Sequence, residues 1–348
     1  MPRVVGIDAG TVSLDVCGLT DGRLTLDLSW PTADAVADPD GFLAALTQSG
    51  RPDLIVGPSG YGLPLTPAAE ASDEDLRLAF LAGPDERGGI GGLRRFVRRL
   101  ADSDLPVVLT PGVIHLDSVP AHRKLNRVDL GTADKVCAAA LAIENRQRDS
   151  GRPLADISLI LLELGGAFTA AVAVDRGRIV DGLGGTSGPI GWRSAGALDG
   201  EVAYLAGTVD KAMLFGGGAE TVAESAGRAM AIAAYVEGAA KAVRQLAASV
   251  PGVDLVVVSG RSAADADLVR RLGTLLGGMS VVPLEGFSPV AKQGAQGAAL
   301  LADGLAGGRH EALVQRLGIR EAHGTVLDHL YVITSETARR RLGLDRDA

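Results

Sequence analysis

The chain is poor in cysteine, aromatic residues and long apolar runs, and each shortage removes a class of protein. Cys17 and Cys137 are the only two cysteines in 348 residues, which excludes a disulfide framework or a thiolate metal cluster and suits a reducing compartment. Aromatics make up 3% and the formal net charge is −8, so few rings are available to stack on bases and the overall field repels a phosphate backbone. Nucleic acid is not an expected partner. No apolar run reaches the roughly 18 residues that span a bilayer, and Met1-Pro2-Arg3-Val4-Val5 enters a strand pattern at once, without the apolar region of a signal peptide. A cytoplasmic protein that engages no membrane is the expectation. The five histidines show no metal-ligand spacing, and no Gly-Lys-Ser/Thr occurs.

Hydrophobic residues at 47% and charged residues at 22% provide material for two cores, and the length suits two domains. The 47 glycines gather at turns between apolar runs rather than in one linker. The polar stretch from Asn145 to Pro153 separates a helix pattern from a strand pattern, so the expected domains are 1–148 and 149–348.

One unit occurs twice. Val4 to Thr11 is an apolar strand ending in Asp8 and a Gly-Thr turn; Ser13 to Leu19 continues as a second strand, Asp21-Gly22 turns the chain, and Arg23 to Trp30 forms a third. Leu159 to Leu183 repeats this order. A gapless overlay matches Asp8 with Glu163, Gly10 with Gly165, Gly22 with Gly177 and Arg23 with Arg178. Turns of this kind offer backbone N–H groups with no side chain in the way, which suits phosphate oxygens. Gly10, Gly165 and Gly166 are therefore candidate phosphate binders, with Thr11 and Ser13 adding hydroxyls, and Asp8 and Glu163 are candidates to hold a hydrated Mg²⁺. Neither turn leads directly into a helix, as a Rossmann fingerprint or P-loop requires. Gly88-Gly89-Ile90-Gly91-Gly92 does precede a helix, but no strand precedes it; Leu93, Phe96, Val97 and Leu100 give that helix an apolar face, and Arg94, Arg95, Arg98 and Arg99 are expected to form a solvated one.

Downstream, Asp254 to Val258 reads as a buried strand ending in Ser259-Gly260-Arg261, followed by a helix from Ala264 to Leu275. A glycine at the carboxyl end of a parallel strand lets a nucleoside lie against the backbone. A long helix is expected over Thr221 to Ala248, and another over Pro289 to Leu305 with small residues on one face.

Together, Gly6-Ile7-Asp8-Ala9-Gly10-Thr11-Val12-Ser13, Asp129 to Lys135, Leu162-Glu163-Leu164-Gly165-Gly166 and Val258-Ser259-Gly260-Arg261 resemble the phosphate, connecting and adenosine motifs of the actin/heat-shock chaperone/sugar kinase superfamily. The whole chain resembles a family of prokaryotic proteins described as predicted butyrate kinases. The resemblance implies an α/β fold of two ribonuclease H-like domains with a nucleotide cleft between them, the actin-like ATPase fold, acting on ATP and Mg²⁺. Val56 to Pro64 is similar to the substrate loop of acetate and butyrate kinases, with Pro58-Ser59 where those enzymes place an arginine. Thr110 to Asp117 is similar to their catalytic-acid segment, and Gly188 to Gly196 to a loop carrying an arginine near the reacting carboxylate.

The expected activity is phosphoryl transfer from ATP to a small acceptor, a short-chain carboxylate first. In that scheme Asp117 orients the acceptor, with Asp129 and Asp134 as alternatives, Arg193 neutralises charge on the phosphoryl group, and Ser259, Gly260 and Arg261 hold the nucleoside. A nucleotide-gated ATPase acting on a partner and a sugar or polyol kinase are the other two readings. The segment from Ile319 to Ala348 is expected to cover a lobe or a subunit interface, which allows a homodimer.

Overall fold

A computed structural model describes residues 2–10, 12–83 and 90–344. The first strand triplet is β1 (Arg3–Ala9), β2 (Ser13–Thr20) and β3 (Arg23–Pro31), followed by β4 (Leu54–Val56), β5 (Thr66–Pro67) and β6 (Val107–Leu109). The second triplet is β7 (Leu159–Leu164), β8 (Thr169–Asp175) and β9 (Arg178–Leu183), followed by β10 (Leu255–Ser259) and β11 (Ser280–Pro283). These make two sheets, ordered β3-β2-β1-β4-β6-β5 and β11-β10-β7-β8-β9. In each, an antiparallel meander continues into parallel strands: β1 pairs with β4 and β4 with β6, while β7 pairs with β10 and β10 with β11.

The repeat extends to the register. Asp8 stands opposite Asp15, and Glu163 opposite Ala170. Both meanders slip register on the second strand, between Gly18 and Leu19 in one and between Ala173 and Val174 in the other, at positions that the same overlay superimposes. Asp21-Gly22 and Arg176-Gly177 both have positive φ at both residues, the geometry of a two-residue hairpin turn matched to strand twist.

The chain divides into two compact units, Met1–Val128 with Thr132–Ala155 and Glu285–Ala348, and Asp129–Gly131 with Asp156–Leu284. Residues 285–348 thus belong with the first unit, not with the second as the expected 149–348 domain requires. The reason is packing. Gly6 faces away from the buried Val5 and Ile7, and a side chain there would stand 2.2 Å from the Ala299 nitrogen of helix Gln293–Leu305. On another side, a side chain on Gly297 would stand 1.8 Å from the Cys137 carbonyl oxygen of helix Ala133–Ser150. Small residues let this helix lie directly on β1 and on its neighbour helix.

The opposite face of the first sheet is covered by a core that includes Phe42, Leu46, Leu76, Phe96 and Leu100, with Phe42 edge-on to Trp30 at 5.7 Å and to Phe96 at 5.2 Å. Helix Ile90–Ala101 contributes Phe96, Val97 and Leu100 as expected; Gly88 and Gly89 lie outside the described residues. Its arginines are not simply solvated. Arg94 pairs with Asp73 at 3.0 Å, Arg98 donates to the Ala71 carbonyl at 3.0 Å and Arg99 pairs with Asp40 at 2.5 Å. The C-terminal helix Ser335–Arg341 docks on the same unit, with Arg339 on Glu74 at 2.7 Å.

In the second unit, Ile160, Leu162, Val256 and Val258 pack against Tyr235, Val243 and Leu246. The long helix expected over Thr221 to Ala248 is two helices, Ala219–Ala226 and Arg228–Ala247, because Gly227 at φ 94° breaks the run. Among the described residues, no helix is long and apolar enough to cross a membrane.

Candidate functional site

In the first unit, the carboxyl edge of the parallel strands gathers Asp8 at the end of β1, the 57–63 loop after β4 and the 110–117 segment after β6. Asp8 abuts the start of helix Gln293–Leu305: a side chain on Gly294 would stand 2.5 Å from its Oδ2. The Gly10 turn is closed by Gly10 N–H donating to the Ser13 carbonyl at 2.9 Å and by the Thr32 hydroxyl donating to the Gly10 carbonyl at 2.8 Å. Thr11 lies outside the described residues.

Lys292, which the sequence motifs did not single out, reaches this turn. Its Nζ is 2.6 Å from Ser13 Oγ and 3.0 Å from Asp15 Oδ2, and Ser13 Oγ also donates to Asp15 Oδ2 at 2.7 Å. One signal was present: Lys292 is the sole basic residue between Arg271 and Arg309.

Asp134, at the start of helix Ala133–Ser150, contacts Lys135 and the Thr132 hydroxyl. Burial favours its neutral form, but those two partners outweigh burial and hold its carboxyl below the usual value. Burial, with Asp134 and Asp8 nearby, pushes the Cys137 thiol well up and leaves it unreactive.

Asp117 follows the short turn Val113–His115, and its Oδ1 lies 2.8 Å from His323 Nδ1. Lys124 sits beneath this segment, buried, and donates to the Leu116 carbonyl at 3.0 Å. Burial lowers its ammonium pKa, against the pull of Asp117 and Asp328. Burial also brings the His115 imidazole down to about 4, so it is neutral at pH 7. In the 57–63 loop, Ser59 is buried, donating to the Gly57 carbonyl at 3.1 Å and accepting from Thr110 N–H at 2.8 Å. It ties the two loops together.

In the second unit, Glu163, Gly165, Gly166, Arg193, Ser259, Gly260 and Arg261 come together at one edge. Ser259 is the strand partner of Glu163. Gly260 has φ 88°, and a side chain there would stand 2.6 Å from the Leu164 carbonyl oxygen, so glycine alone fits comfortably. Around Gly166 the space is open: a side chain would meet only Arg261 Cδ, at 3.8 Å. The Arg193 Nε donates to the Gly166 carbonyl at 3.3 Å, and Arg193 N–H to the Ala167 carbonyl at 3.0 Å. Trp192, edge-on to the buried Tyr235 at 5.7 Å, fixes this loop from below.

Asp129, the alternative considered for orienting the acceptor, belongs to the second unit. It is buried, and its carboxylate accepts from Gly131 N–H at 3.2 Å, Thr186 N–H at 3.0 Å and the Thr186 hydroxyl at 2.9 Å. That set of donors makes it an anchor for the loop after β9.

The donors and glycines fit a phosphorylated ligand. The Gly166 turn is open and flanked by two guanidinium side chains, and among the described residues the buried Ser259 hydroxyl has no hydrogen-bond partner. Among the described residues, no group of three or more His, Cys, Asp or Glu side chains is arranged to hold a metal ion. Asp8 near the end of β1 and Glu163 near the end of β7 are each a single carboxylate, the kind of group that faces a hydrated Mg²⁺ carried by phosphates rather than one that cages a bare ion.

A family model described as "Protein of unknown function (DUF1464)" matches residues 6–332. The chain belongs to this family. No curated protein matches it. Among solved structures, the DUF1464 protein is similar to a propionate kinase from Francisella tularensis subsp. tularensis SCHU S4, at TM-score 0.58 and 13% identity over 86% of this chain and 98% of that one. It is similar also to the acetate kinase of Entamoeba histolytica, at TM-score 0.54 and 13% identity over 78% and 85%, and to that of Porphyromonas gingivalis, at 0.53 and 14% over 86% and 98%. The DUF1464 chain therefore has the actin-like ATPase fold of the acetate kinases, as its motifs led us to expect.

Proposed function

We propose that this protein is an ATP-dependent phosphotransferase whose acceptor is a small molecule, a short-chain carboxylate first. The observation that carries the proposal is the repeated arrangement of an acid, a glycine turn and a basic side chain at the carboxyl edge of each sheet. The likeness in fold to acetate and propionate kinases supports it.

ATP with Mg²⁺, when bound, supplies the transferable phosphoryl group and neutralises part of its charge. Asp8 and Glu163 would be the carboxylates available to its hydrated metal, and the glycine turns, whose Gly10 and Gly165 N–H groups are spent on the Ser13 and Phe168 carbonyls, would let phosphate oxygens come close to the backbone. Arg193, standing over the Gly166 turn, offers a planar fork of donors to the phosphoryl oxygens. Asp117 orients the acceptor. A carboxylate acceptor needs no general base, which agrees with a neutral, buried His115. The 57–63 loop carries neither a cation nor a carboxylate and few polar groups, a composition that suits an acyl chain better than a polyol.

Ser59, buried where acetate kinases carry an arginine, favours one second reading, a nucleotide-gated regulatory ATPase. Incubation with ATP, Mg²⁺ and acetate, propionate, butyrate or a set of sugars, with hydroxylamine to trap acyl phosphates, separates the two. Hydroxamate formation with a short acid is the expected outcome. ATP binding without transfer to any acceptor favours the regulatory reading, and a sugar phosphate makes the protein a sugar kinase.

A further inference from the structure

We propose that Lys292 is a phosphate-binding residue of the Gly10 turn, an inference that rests on the ATP-binding reading above. Its Nζ lies 3.1 Å from where a side chain on Gly10 would begin, so the ammonium crosses the turn through the space that glycine leaves open. An ammonium has three donor protons. Ser13 Oγ and Asp15 Oδ2 account for two, and among the described residues the third has no protein acceptor. The Lys292 side chain is 45% exposed, whereas the Asp15 side chain it pairs with is 2% exposed. The cation is therefore held from below by a buried carboxylate and a hydroxyl, with its outer side in water.

The approach of Lys292 is built from several bonds. Asp27 on β3 accepts from the Ser288 hydroxyl at 2.6 Å, Ala291 N–H at 2.8 Å and Val290 N–H at 3.2 Å. From the other side, the buried Gln296 side chain accepts from Phe287 N–H at 2.7 Å and donates to the Ala291 carbonyl at 2.7 Å. This clasp fixes the backbone up to the residue before Lys292 and leaves the long side chain to swing between Asp15 and a ligand oxygen. A phosphate held there would face Gly10 and Ser13 together with the ammonium.

The plain alternative is that Lys292 only neutralises Asp15, since breaking a buried pair from one side strands a charge. A double substitution separates the two. In Asp15→Asn/Lys292→Met no buried charge is stranded, so folding should survive with a melting temperature close to that of the native protein, checked by scanning fluorimetry. We would titrate both proteins calorimetrically with ATP–Mg²⁺, sodium tripolyphosphate and adenosine. The expected result is a loss of roughly tenfold or more in affinity for ATP and tripolyphosphate, the size of one charge-assisted contact, with adenosine unaffected. Lys292→Arg should keep part of the affinity. If the native protein binds ATP and the double variant binds it equally well, Lys292 is only a partner for Asp15 and the nucleotide reading stands. If the native protein binds neither ATP nor tripolyphosphate, the nucleotide reading fails and this inference falls with it.

Discussion

The two acid–glycine turns share a backbone and differ in the cations that serve them. In the first unit, Asp8 rests on the start of helix Gln293–Leu305 and the cation is Lys292, brought by a distant segment and paired with the buried Asp15. In the second, Glu163 neighbours Ser259 on β10, Ala170 stands where the first unit has Asp15, and the cations are Arg193 and Arg261 from nearby loops. Strand register and hairpin geometry are retained in both copies, while the charged chemistry has diverged. A lysine is a point charge on a flexible stem, suited to holding a phosphate, whereas an arginine fork suits the planar charge distribution of a phosphoryl group in transfer.

The largest expected effect concerns the helix that supplies the cation of the first unit. Gly297→Val would drive a side chain into the Cys137 carbonyl and should cost more than about 3 kcal/mol in urea unfolding. A cost below 1 kcal/mol would mean that the helix does not need this close approach. Next, Arg193→Ala should lower turnover by roughly 100-fold or more, about 2.7 kcal/mol in the barrier, with little change in ATP affinity. Arg193→Lys should rescue poorly, in contrast to Lys292→Arg. Equal losses in ATP affinity and turnover would erase the distinction drawn between the two cations.

A smaller effect should appear with pH, through His115 of the first unit. The His115 imidazole takes a proton near pH 6.5 when unfolded and near pH 4 when folded. Between those values the unfolded state binds more protons, so stability is full above about pH 6.5 and falls as the pH drops towards 4. The loss should approach ~2 kcal/mol, somewhat less than the full shift implies. His115→Leu should flatten unfolding free energies measured across that window; an unchanged slope would assign the acid sensitivity elsewhere. The smallest effect is Gly227→Ala in the second unit. Nothing stands within 4 Å of the added atom, so only the left-handed backbone at φ 94° is strained, at about 1 kcal/mol in denaturant titration.

What the sequence made legible was local. Asp8-Ala9-Gly10, Asp21-Gly22 and their counterparts lie within single strand–turn–strand units, so strand alternation and turn chemistry identify them directly. The places of Glu163, Gly166, Gly260 and Arg193, near strand ends or in a glycine-flanked loop, were legible for the same reason, while their roles are the proposal made above. What was hidden depends on contacts between distant segments. The return of residues 285–348 to the first unit follows from Gly6 and Gly297 meeting other backbones, which no local pattern records. Lys292 acquires meaning only when Asp15 and Gly10 stand beside it. Asp129 reads as an acid in a motif, and only the Thr186 donors reveal its anchoring task. Gly227 was visible, but a single glycine in an alanine-rich run does not announce a break until its φ is known.

The most direct test of the central claim is a calorimetric titration of ATP, with and without Mg²⁺, into the native protein and into Asp8→Asn/Glu163→Gln. The expected result is saturable ATP binding to the native protein that strengthens with Mg²⁺, and loss of that Mg²⁺ dependence in the variant. No binding of ATP to the native protein, or a Mg²⁺ dependence that survives both substitutions unchanged, would contradict it.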